Sequence, residues 1–246
     1  MPILADTLAT ADGSCRLTLA VPDGTGPWPA AVMYPDAGGA RETFTAMAAE
    51  LAGSGYVVLV PDVYYRHPGW APFAMDTAFT DPAERTRIFA LMRSVTPQRM
   101  AADAAAFFDY LAARPQVAGD SFGVCGYCMG GRTALVVAGR LGRRVAAAAS
   151  FHGGGLVTDA ADSPHRAAAD IRAAVYVAGA QDDATFTAAQ ARRLDEELRA
   201  AGVEHTVEIF PAAHGFAVPD NPTYDPQAAE RHWTALRAFF AARLTG

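Results

Sequence analysis

Hydrophobic positions along this chain fall into two alternating patterns. The first is a short, continuous apolar run, which is typical of a strand in a parallel sheet that is covered on both faces. Such runs occupy residues 16–21, 30–34, 57–61, 122–126, 145–151, 174–178 and 206–210. These runs are the candidate strands of the fold.

The second pattern is helical spacing of apolar residues between the runs. Thr96-Pro97 and Asp225-Pro226 each combine a capping residue with proline at the first helical position, and a buried stripe follows each pair. Further helices are predicted over 41–51, 129–138 and 187–201. Alternating strands and helices predict an α/β fold with a doubly wound, mostly parallel sheet and helices on both faces, built as one domain over residues 1–246. Ligands in such folds bind beyond the carboxyl ends of the strands.

Residues 62–95 interrupt this alternation directly after a strand. The segment is rich in aromatic and basic side chains, among them Tyr64, Tyr65, Arg66, His67, Trp70, Phe73 and Phe79. Long excursions at a strand end are often functional, so we expect a lid over a pocket, with packing without function as the alternative. The first four of these side chains are candidates for lining the substrate pocket.

Composition excludes several functions. The net charge is −6 and no basic run is present, which argues against nucleic acid or an anionic membrane as a partner. All 20 basic residues are arginine. Schiff-base chemistry, lysine-anchored pyridoxal phosphate and a P-loop lysine are therefore excluded. The first six residues lack the features of a secretory signal, no run reaches the roughly 18 apolar residues of a membrane span, and the three cysteines are too few for a disulfide framework. These features predict a reducing, cytoplasmic setting.

The strand at 122–126 leads into Gly126-Tyr127-Cys128-Met129-Gly130 and then into a helical pattern. Gly-x-Cys-x-Gly at a strand-to-helix turn is the arrangement in which α/β-hydrolases present a nucleophile, because the sharp turn needs small residues on either side. A thiol at Cys128 would lie at a helix N-terminus, where the helix dipole favours a thiolate.

The pair of Cys125 and Cys128 also has the spacing of a redox or zinc motif. A zinc site needs two more ligands, and the third cysteine, Cys15, is far away in sequence. We therefore expect Cys125 to fill the core, and we expect neither a metal ion nor a cofactor.

A thiol nucleophile needs a base, and the chain has six histidines. His214 follows the last predicted strand on a loop, which favours it as the base, whereas His67 and His152 are candidates for lining the pocket. A carboxylate must orient the imidazole, and Asp182-Asp183 follows the sixth apolar run. We expect Asp182 to be this acid and Asp183 to be a solvated residue of the turn. The order Cys128, aspartate, His214 is that of α/β-hydrolases.

These motifs, together with the turn Ala213-His214-Gly215-Phe216, make nearly the whole chain resemble the dienelactone hydrolases. The resemblance implies an α/β-hydrolase fold and hydrolysis of an ester or lactone through an acyl-thioester on Cys128. It implies an oxyanion hole formed by the main-chain N–H groups of Ala37 and Met129. It also places Asp36 where the family has a glutamate that contacts the resting thiol.

One departure concerns the substrate. Members of the family that bind dienelactone carry an arginine four residues after the catalytic histidine, and here that position is Val218. The conceivable replacements for that arginine are Arg41, Arg66, Arg85 and Arg87. Two alternatives to an esterase stay open: an acyl-thioesterase on the same three residues, and a binding protein that has kept the fold without turnover. The sequence fixes neither the acyl group nor the oligomeric state.

Overall fold

The computed structural model describes residues 1–244, which are organised around an eight-stranded sheet of order β1-β2-β4-β3-β5-β6-β7-β8. The strands are β1 (Ile3–Thr10), β2 (Gly13–Ala20), β3 (Ala30–Tyr34), β4 (Val57–Pro61), β5 (Phe122–Tyr127), β6 (Val145–Phe151), β7 (Ala174–Ala180) and β8 (His205–Phe210). The helices are α1 (Glu42–Ala52), α2 (Pro82–Ser94), α3 (Pro97–Ala112), α4 (Met129–Leu141), α5 (Ala188–Ala200) and α6 (Pro226–Ala241). Two 3-10 segments occupy Gly142–Arg144 and Pro164–Asp170.

Strands β3 to β8 pair in parallel, which confirms the predicted mostly parallel α/β sheet. β2 pairs antiparallel with β1 and β4, so the sheet is mixed at one edge. The sequence pattern did not predict β1. This strand pairs only with β2, and six of its eight residues are exposed, so it lacks the apolar run by which the buried strands were found.

Helices cover both faces of the sheet, as predicted. One apolar cluster joins side chains of α3, α4 and α5 to one face, and a second joins α1 and α6 to the other. Both helices predicted from a capping residue and proline begin at that proline, and Thr96 and Asp225 accept hydrogen bonds from main-chain N–H groups of the first turns. The described residues include no helix that is both long and apolar enough to cross a membrane.

The 62–95 segment consists of turns followed by α2. Asp81 caps this helix by accepting hydrogen bonds from the main-chain N–H groups of Ala83 and Glu84. Only Ile88 and Leu91 of α2 are buried, which explains why helical periodicity did not reveal it.

The backbone is very closely packed at the junction of β5 and α4. A Cβ atom on Gly126 would lie 2.1 Å from the carbonyl oxygen of Gly130, and one on Gly130 would lie 2.2 Å from the carbonyl oxygen of Tyr34 in β3. Main-chain atoms cannot move away as a flexible side chain can. Glycine is therefore required at both positions, and α4 lies directly against the ends of two strands.

We predict that Gly126→Ala lowers the free energy of unfolding by at least about 3 kcal/mol, the upper range for overpacking of a rigid site. Gly53→Ala is the matched control, because Gly53 follows α1 with a helical φ of −60°. Its effect should stay within about 1 kcal/mol. Urea unfolding followed by circular dichroism measures both. Equal stabilities of the two variants would contradict the steric argument.

Candidate active site

Cys128 occupies the turn between β5 and α4. Its φ of 54° and ψ of −114° lie outside the regions that non-glycine residues prefer, a conformation that costs about 1–3 kcal/mol and is held by the surrounding structure. Its N–H donates to the carbonyl of Phe151 at 3.1 Å, and its carbonyl accepts from the N–H groups of Gly131 and Arg132. The thiol is partly exposed, whereas Cys125 is buried in the core as predicted. The strand-to-helix turn thus presents one of the two cysteines.

His214 lies on the loop after β8, as the sequence predicted. Its Nδ1 is 2.6 Å from Oδ2 of Asp183. The other carboxylate oxygen of Asp183 accepts two hydrogen bonds of 2.7 Å from Thr185, one from the N–H and one from the hydroxyl. With one oxygen held by Thr185, the carboxylate is fixed in orientation, and it fixes the imidazole in turn.

The prediction that Asp182 is the carboxylate beside His214 is wrong. β7 runs to Ala180, and the N–H of Gln181 still bonds the carbonyl of Phe210, so the turn begins later than the apolar run suggested. Asp182 then adopts a left-handed conformation with φ 58° and is exposed. Asp183 is the buried residue that contacts His214.

Opposing effects set the charge of this pair. Burial disfavours the imidazolium, but the hydrogen bond to Asp183 and the interaction with Cys128 outweigh it and raise the pKa of His214 to about 10. Burial likewise raises the pKa of Asp183, but its bonds to His214 and Thr185 prevail and lower it to about 2. The structure thus favours an imidazolium at His214 paired with an ionised Asp183.

Ala37 and Met129 lie in one apolar cluster, against which Cys128 packs. Among residues 1–244, neither main-chain N–H donates to a protein group. Met129 is the first residue of α4, so its N–H has no partner within the helix. A main-chain N–H without a protein partner is the kind of donor that an oxyanion hole uses.

Asp36 does not contact the thiol through a hydrogen bond, contrary to the expectation from the family's glutamate. Its carboxylate accepts from the Gly38 N–H at 2.8 Å and from Nη1 and Nη2 of Arg41 at 2.7 and 3.0 Å. The shorter aspartate side chain is therefore used within its own loop. Asp36 and Arg41 are both buried, so their charges compensate each other away from water.

Arg41 also binds the loop that follows His214. Its Nε and Nη2 donate to the carboxylate of Asp220 at 2.6 and 2.7 Å, and Thr43 donates to the same group. One guanidinium thus connects the loop of Ala37 with the loop of His214. Sequence reasoning considered Arg41 only as a substrate-binding candidate. Its role was missed because the partner in the ion pair is 179 positions away.

The structure brings two of the proposed pocket residues to the site. Tyr64 is buried in the cluster that contains Ala37 and Met129, and its hydroxyl donates to the Ala37 carbonyl at 2.9 Å. His152 follows β6 with φ 39°, and its ring centroid lies 5.2 Å from that of His214. Burial lowers the pKa of His152 well below its usual value, and the neighbouring His214 acts in the same direction. His152 is therefore a neutral ring packed against His214.

The other pocket candidates are turned elsewhere. Tyr65 bonds Asp103 at 2.8 Å, and Arg66 forms ion pairs with Asp12 and Asp103. These contacts lie on the side of β1 and α3. His67 follows in the same turn, with its N–H on the carbonyl of Tyr64 and its ring Nε2 buried without a partner among the described residues.

Two of the arginine candidates, Arg85 and Arg87, lie on α2. Arg87 pairs with Glu84 and Arg85 is exposed. Val218, at the position of the family's arginine, is fully buried in the core cluster of α1 and α6. His232 of α6 is buried, with its Nε2 2.8 Å from the hydroxyl of Tyr127.

A cavity of about 580 Å³ lies along β2 and the start of α1. Arg41, Asp62 and Trp70 are among its lining residues, but Cys128 and His214 are not. The thiol lies instead under the 62–95 segment, whose Phe73, Met75 and Ile88 pack in the same cluster as Met129. This cavity is therefore separate from the thiol.

Comparison with known proteins identifies the family to which this fold is similar. The model of the dienelactone hydrolase family matches residues 16–244. A carboxymethylenebutenolidase from a Pseudomonas species is 28% identical over 190 residues, covering 77% of this chain and 74% of that protein. Carboxymethylenebutenolidase 1 from Cupriavidus pinatubonensis is 28% identical over 178 residues, covering 72% and 70%. A solved dienelactone hydrolase-like promiscuous phosphotriesterase from metagenomic libraries superposes with a TM-score of 0.76 at 26% identity, covering 100% of both chains.

The sheet, the turn after β5 and the loop of His214 define an α/β-hydrolase. The chain belongs to the dienelactone hydrolase family and is a hydrolase of the class that cleaves carboxylic esters or lactones.

The contact between Asp183 and His214 leads to a titration prediction. Asp183→Asn should lower the pKa of the His214 ring from about 10, because the main cause that raises it is lost while burial remains. Asp182→Asn should leave the pKa of His214 unchanged. NMR titration of ring-labelled histidine measures this pKa in both variants. A lower pKa in Asp182→Asn but not in Asp183→Asn would return the assignment to Asp182.

The same pKa has a consequence for stability. Because the pKa of folded His214 lies above its ordinary value of 6.5, its stabilising contribution is complete below about pH 6.5 and is lost as the pH rises toward about 10. The free energy of unfolding of the wild type should therefore decline over this interval more steeply than that of Asp183→Asn.

A further prediction tests the bridge made by Arg41. Arg41→Met should cost about 3–5 kcal/mol of stability, because it leaves the buried carboxylate of Asp36 without its cation. Asp220→Asn should cost only about 1 kcal/mol, since the carboxylate of Asp220 is 37% exposed. Urea unfolding compares the two variants. A smaller effect of Arg41→Met would show that the loop of Asp36 does not depend on the ion pair.

Proposed function

We propose that the protein hydrolyses small esters or lactones by nucleophilic catalysis, with Cys128 as nucleophile, His214 as acid and base, and Asp183 as the group that orients His214. The observation that carries the proposal is the 2.6 Å contact between His214 Nδ1 and the buried carboxylate of Asp183. It leaves Nε2 of His214 as the nitrogen available for proton transfer at the thiol.

In the first half of the reaction, the sulfur of Cys128 attacks the acyl carbon and forms a C–S bond, while the carbonyl electron pair moves onto oxygen. The N–H groups of Ala37 and Met129 stabilise this oxyanion, and such donors can each contribute about 3–4 kcal/mol in the transition state. When the intermediate collapses, the C–O bond breaks and the leaving oxygen takes the proton from His214. The acyl group is then a thioester on Cys128.

In the second half, His214 removes a proton from water as the water attacks the thioester. The new tetrahedral intermediate expels the thiolate of Cys128 and releases the acid, and His214 is again the imidazolium. Asp183 stays ionised and stabilises that cation throughout, which its low pKa of about 2 supports. The neutral ring of His152 beside His214 adds no competing positive charge.

Site variants test the proposal. Cys128→Ala should abolish turnover of activated esters while the fold stays intact, because it removes only a thiol from a turn set by Gly126 and Gly130. Cys125→Ala is the control and should keep most activity, since that thiol is buried in the core. Asp183→Asn should lower kcat by about 10⁴-fold, as loss of the orienting carboxylate does in a serine triad. Normal turnover by Cys128→Ala would refute the mechanism.

Trapping separates hydrolysis from binding without turnover. Intact mass spectrometry after rapid mixing with an activated ester should detect the acyl mass on wild type and its loss within the turnover time. Asp183→Asn should accumulate the adduct. A thioester substrate in the same assay distinguishes an acyl-thioesterase, for which the thioester would be cleaved with the higher kcat/KM.

A further inference from the structure

The inner side of the 62–95 segment is an apolar surface at the thiol. Side chains of this segment pack with Ala37 and Met129 into one buried cluster, and Cys128 packs against it. The members contributed by the segment are Tyr64, Phe73, Met75, Ala78, Ile88 and Leu91. Only one of these six carries a polar atom, the hydroxyl of Tyr64, and that hydroxyl is already used on the Ala37 carbonyl.

The arginines near this cluster are all committed or exposed. Arg41 is bound by Asp36 and Asp220, and Arg66 is bound by Asp12 and Asp103. Arg132, one turn after Cys128 in α4, extends toward Gly155 and Asp162 in the loop after β6, with a 3.9 Å ion pair to Asp162, and not toward the 62–95 segment. Of the sequence candidates, the exposed Arg85 and the half-buried Arg87 of α2 remain. Lysine is absent from the chain.

Arg87 needs separate consideration because its guanidinium lies 3.7 Å from the ring centroid of Phe73, a member of the cluster. Arg87 is 37% exposed whereas Phe73 is 4% exposed, which places the arginine on the solvent side of the ring. Its nitrogens are occupied by the carboxylate of Glu84 and the carbonyl of Ala71. Arg87 thus holds the segment together rather than facing the thiol.

A second carboxylate on the acyl group of a substrate would therefore enter an apolar environment without a cation. Burial of an unpaired charge is unfavourable, whereas methylene groups gain free energy from the same environment.

We infer that the acyl side of this site is specific for uncharged, apolar acyl groups and discriminates against acyl groups that carry a carboxylate. The inference rests on the proposed function, because it takes Cys128 as the residue that receives the acyl group. It assigns the specificity to the inner side of the 62–95 segment, with Phe73, Met75, Ile88 and Leu91 as the contact residues.

Matched esters test the inference. p-Nitrophenyl hexanoate and mono-p-nitrophenyl adipate have acyl chains of equal length, and only the second ends in a carboxylate. The methyl ester of the second compound lacks the charge and is larger by only one methyl group. We expect kcat/KM at pH 7.5 to be roughly 100-fold higher for the hexanoate than for the adipate, with the methyl adipate close to the hexanoate.

Each outcome has a defined meaning. Equal rates for all three esters, or faster hydrolysis of the anionic one, would overturn the assigned specificity while leaving the proposed function intact. Failure of all three to be hydrolysed, with no acyl mass on Cys128, would instead refute the proposed function. A slow methyl adipate would show that length or polarity, rather than charge, is discriminated, and would also overturn the inference.

A charge introduced into the cluster locates the effect. Met75→Arg replaces a flexible, 7% exposed side chain of similar length. It should narrow the preference for hexanoate over adipate by at least about 10-fold, mainly through a lower KM for the adipate. Phe79→Arg is the matched control, since Phe79 is 39% exposed on the same segment and adds the same charge.

Thermal unfolding checks that both variants are folded, and the comparison of the three esters on wild type stands if Met75→Arg is not. If both variants reduced the preference for hexanoate over adipate equally, the cause would be a general effect of protein charge. That result would overturn the assignment to the inner side of the segment.

Discussion

Backbone contact at the end of β5 determines the geometry on which the rest of the site depends. The approach of Gly130 to Gly126 and to the Tyr34 carbonyl leaves no room for a Cβ atom, so α4 starts against the ends of β3 and β5. The thiol of Cys128, the N–H of Met129 and the loop of Ala37 are thereby held in one place. A side chain at either glycine would displace several groups of the proposed mechanism together rather than one of them.

Charge within the site is arranged by partners rather than by solvent. Asp183 is held by Thr185 and faces His214, and the pKa of His214 rises although burial opposes it. His152 is buried beside His214 without a hydrogen bond to either ring nitrogen among the described residues, so it stays neutral. The only carboxylate in the Ala37 loop is neutralised by Arg41. His214 is therefore the imidazole at the thiol of Cys128 whose pKa these partners raise.

The sequence was most informative where the pattern is local. Apolar runs located the parallel strands, and Gly-x-Cys-x-Gly located the turn of Cys128, because periodicity and glycine requirements depend on neighbours in the chain. β1 escaped detection since an edge strand buries little on either face. α2 escaped for a related reason, because it buries only Ile88 and Leu91.

Contacts between distant segments could not be predicted in the same way. The choice between Asp182 and Asp183 depends on how far β7 continues its pairing with β8, which a single sequence does not state. The pairing of Asp36 with Arg41 has a local signal, an acid and a base five residues apart, and it was available to sequence reasoning. The ion pair of Arg41 with Asp220 has no such local signal in the sequence. Tyr65 and Arg66 were assigned to the pocket as part of the aromatic segment that follows a strand, yet they contact Asp103 and Asp12.

The span of the Arg41 bridge has a consequence for biosynthesis. A ribosome makes the turn of Cys128 and the loop of Asp36 long before it makes His214 and Asp220, whose partner Arg41 lies 179 positions earlier than Asp220. Until the residues after β8 have docked, the thiol has no imidazole and Arg41 has only one of its two carboxylates. The nascent chain therefore carries a cysteine without its imidazole, and appearance of activity would mark the docking of the last strand and the loop that follows it.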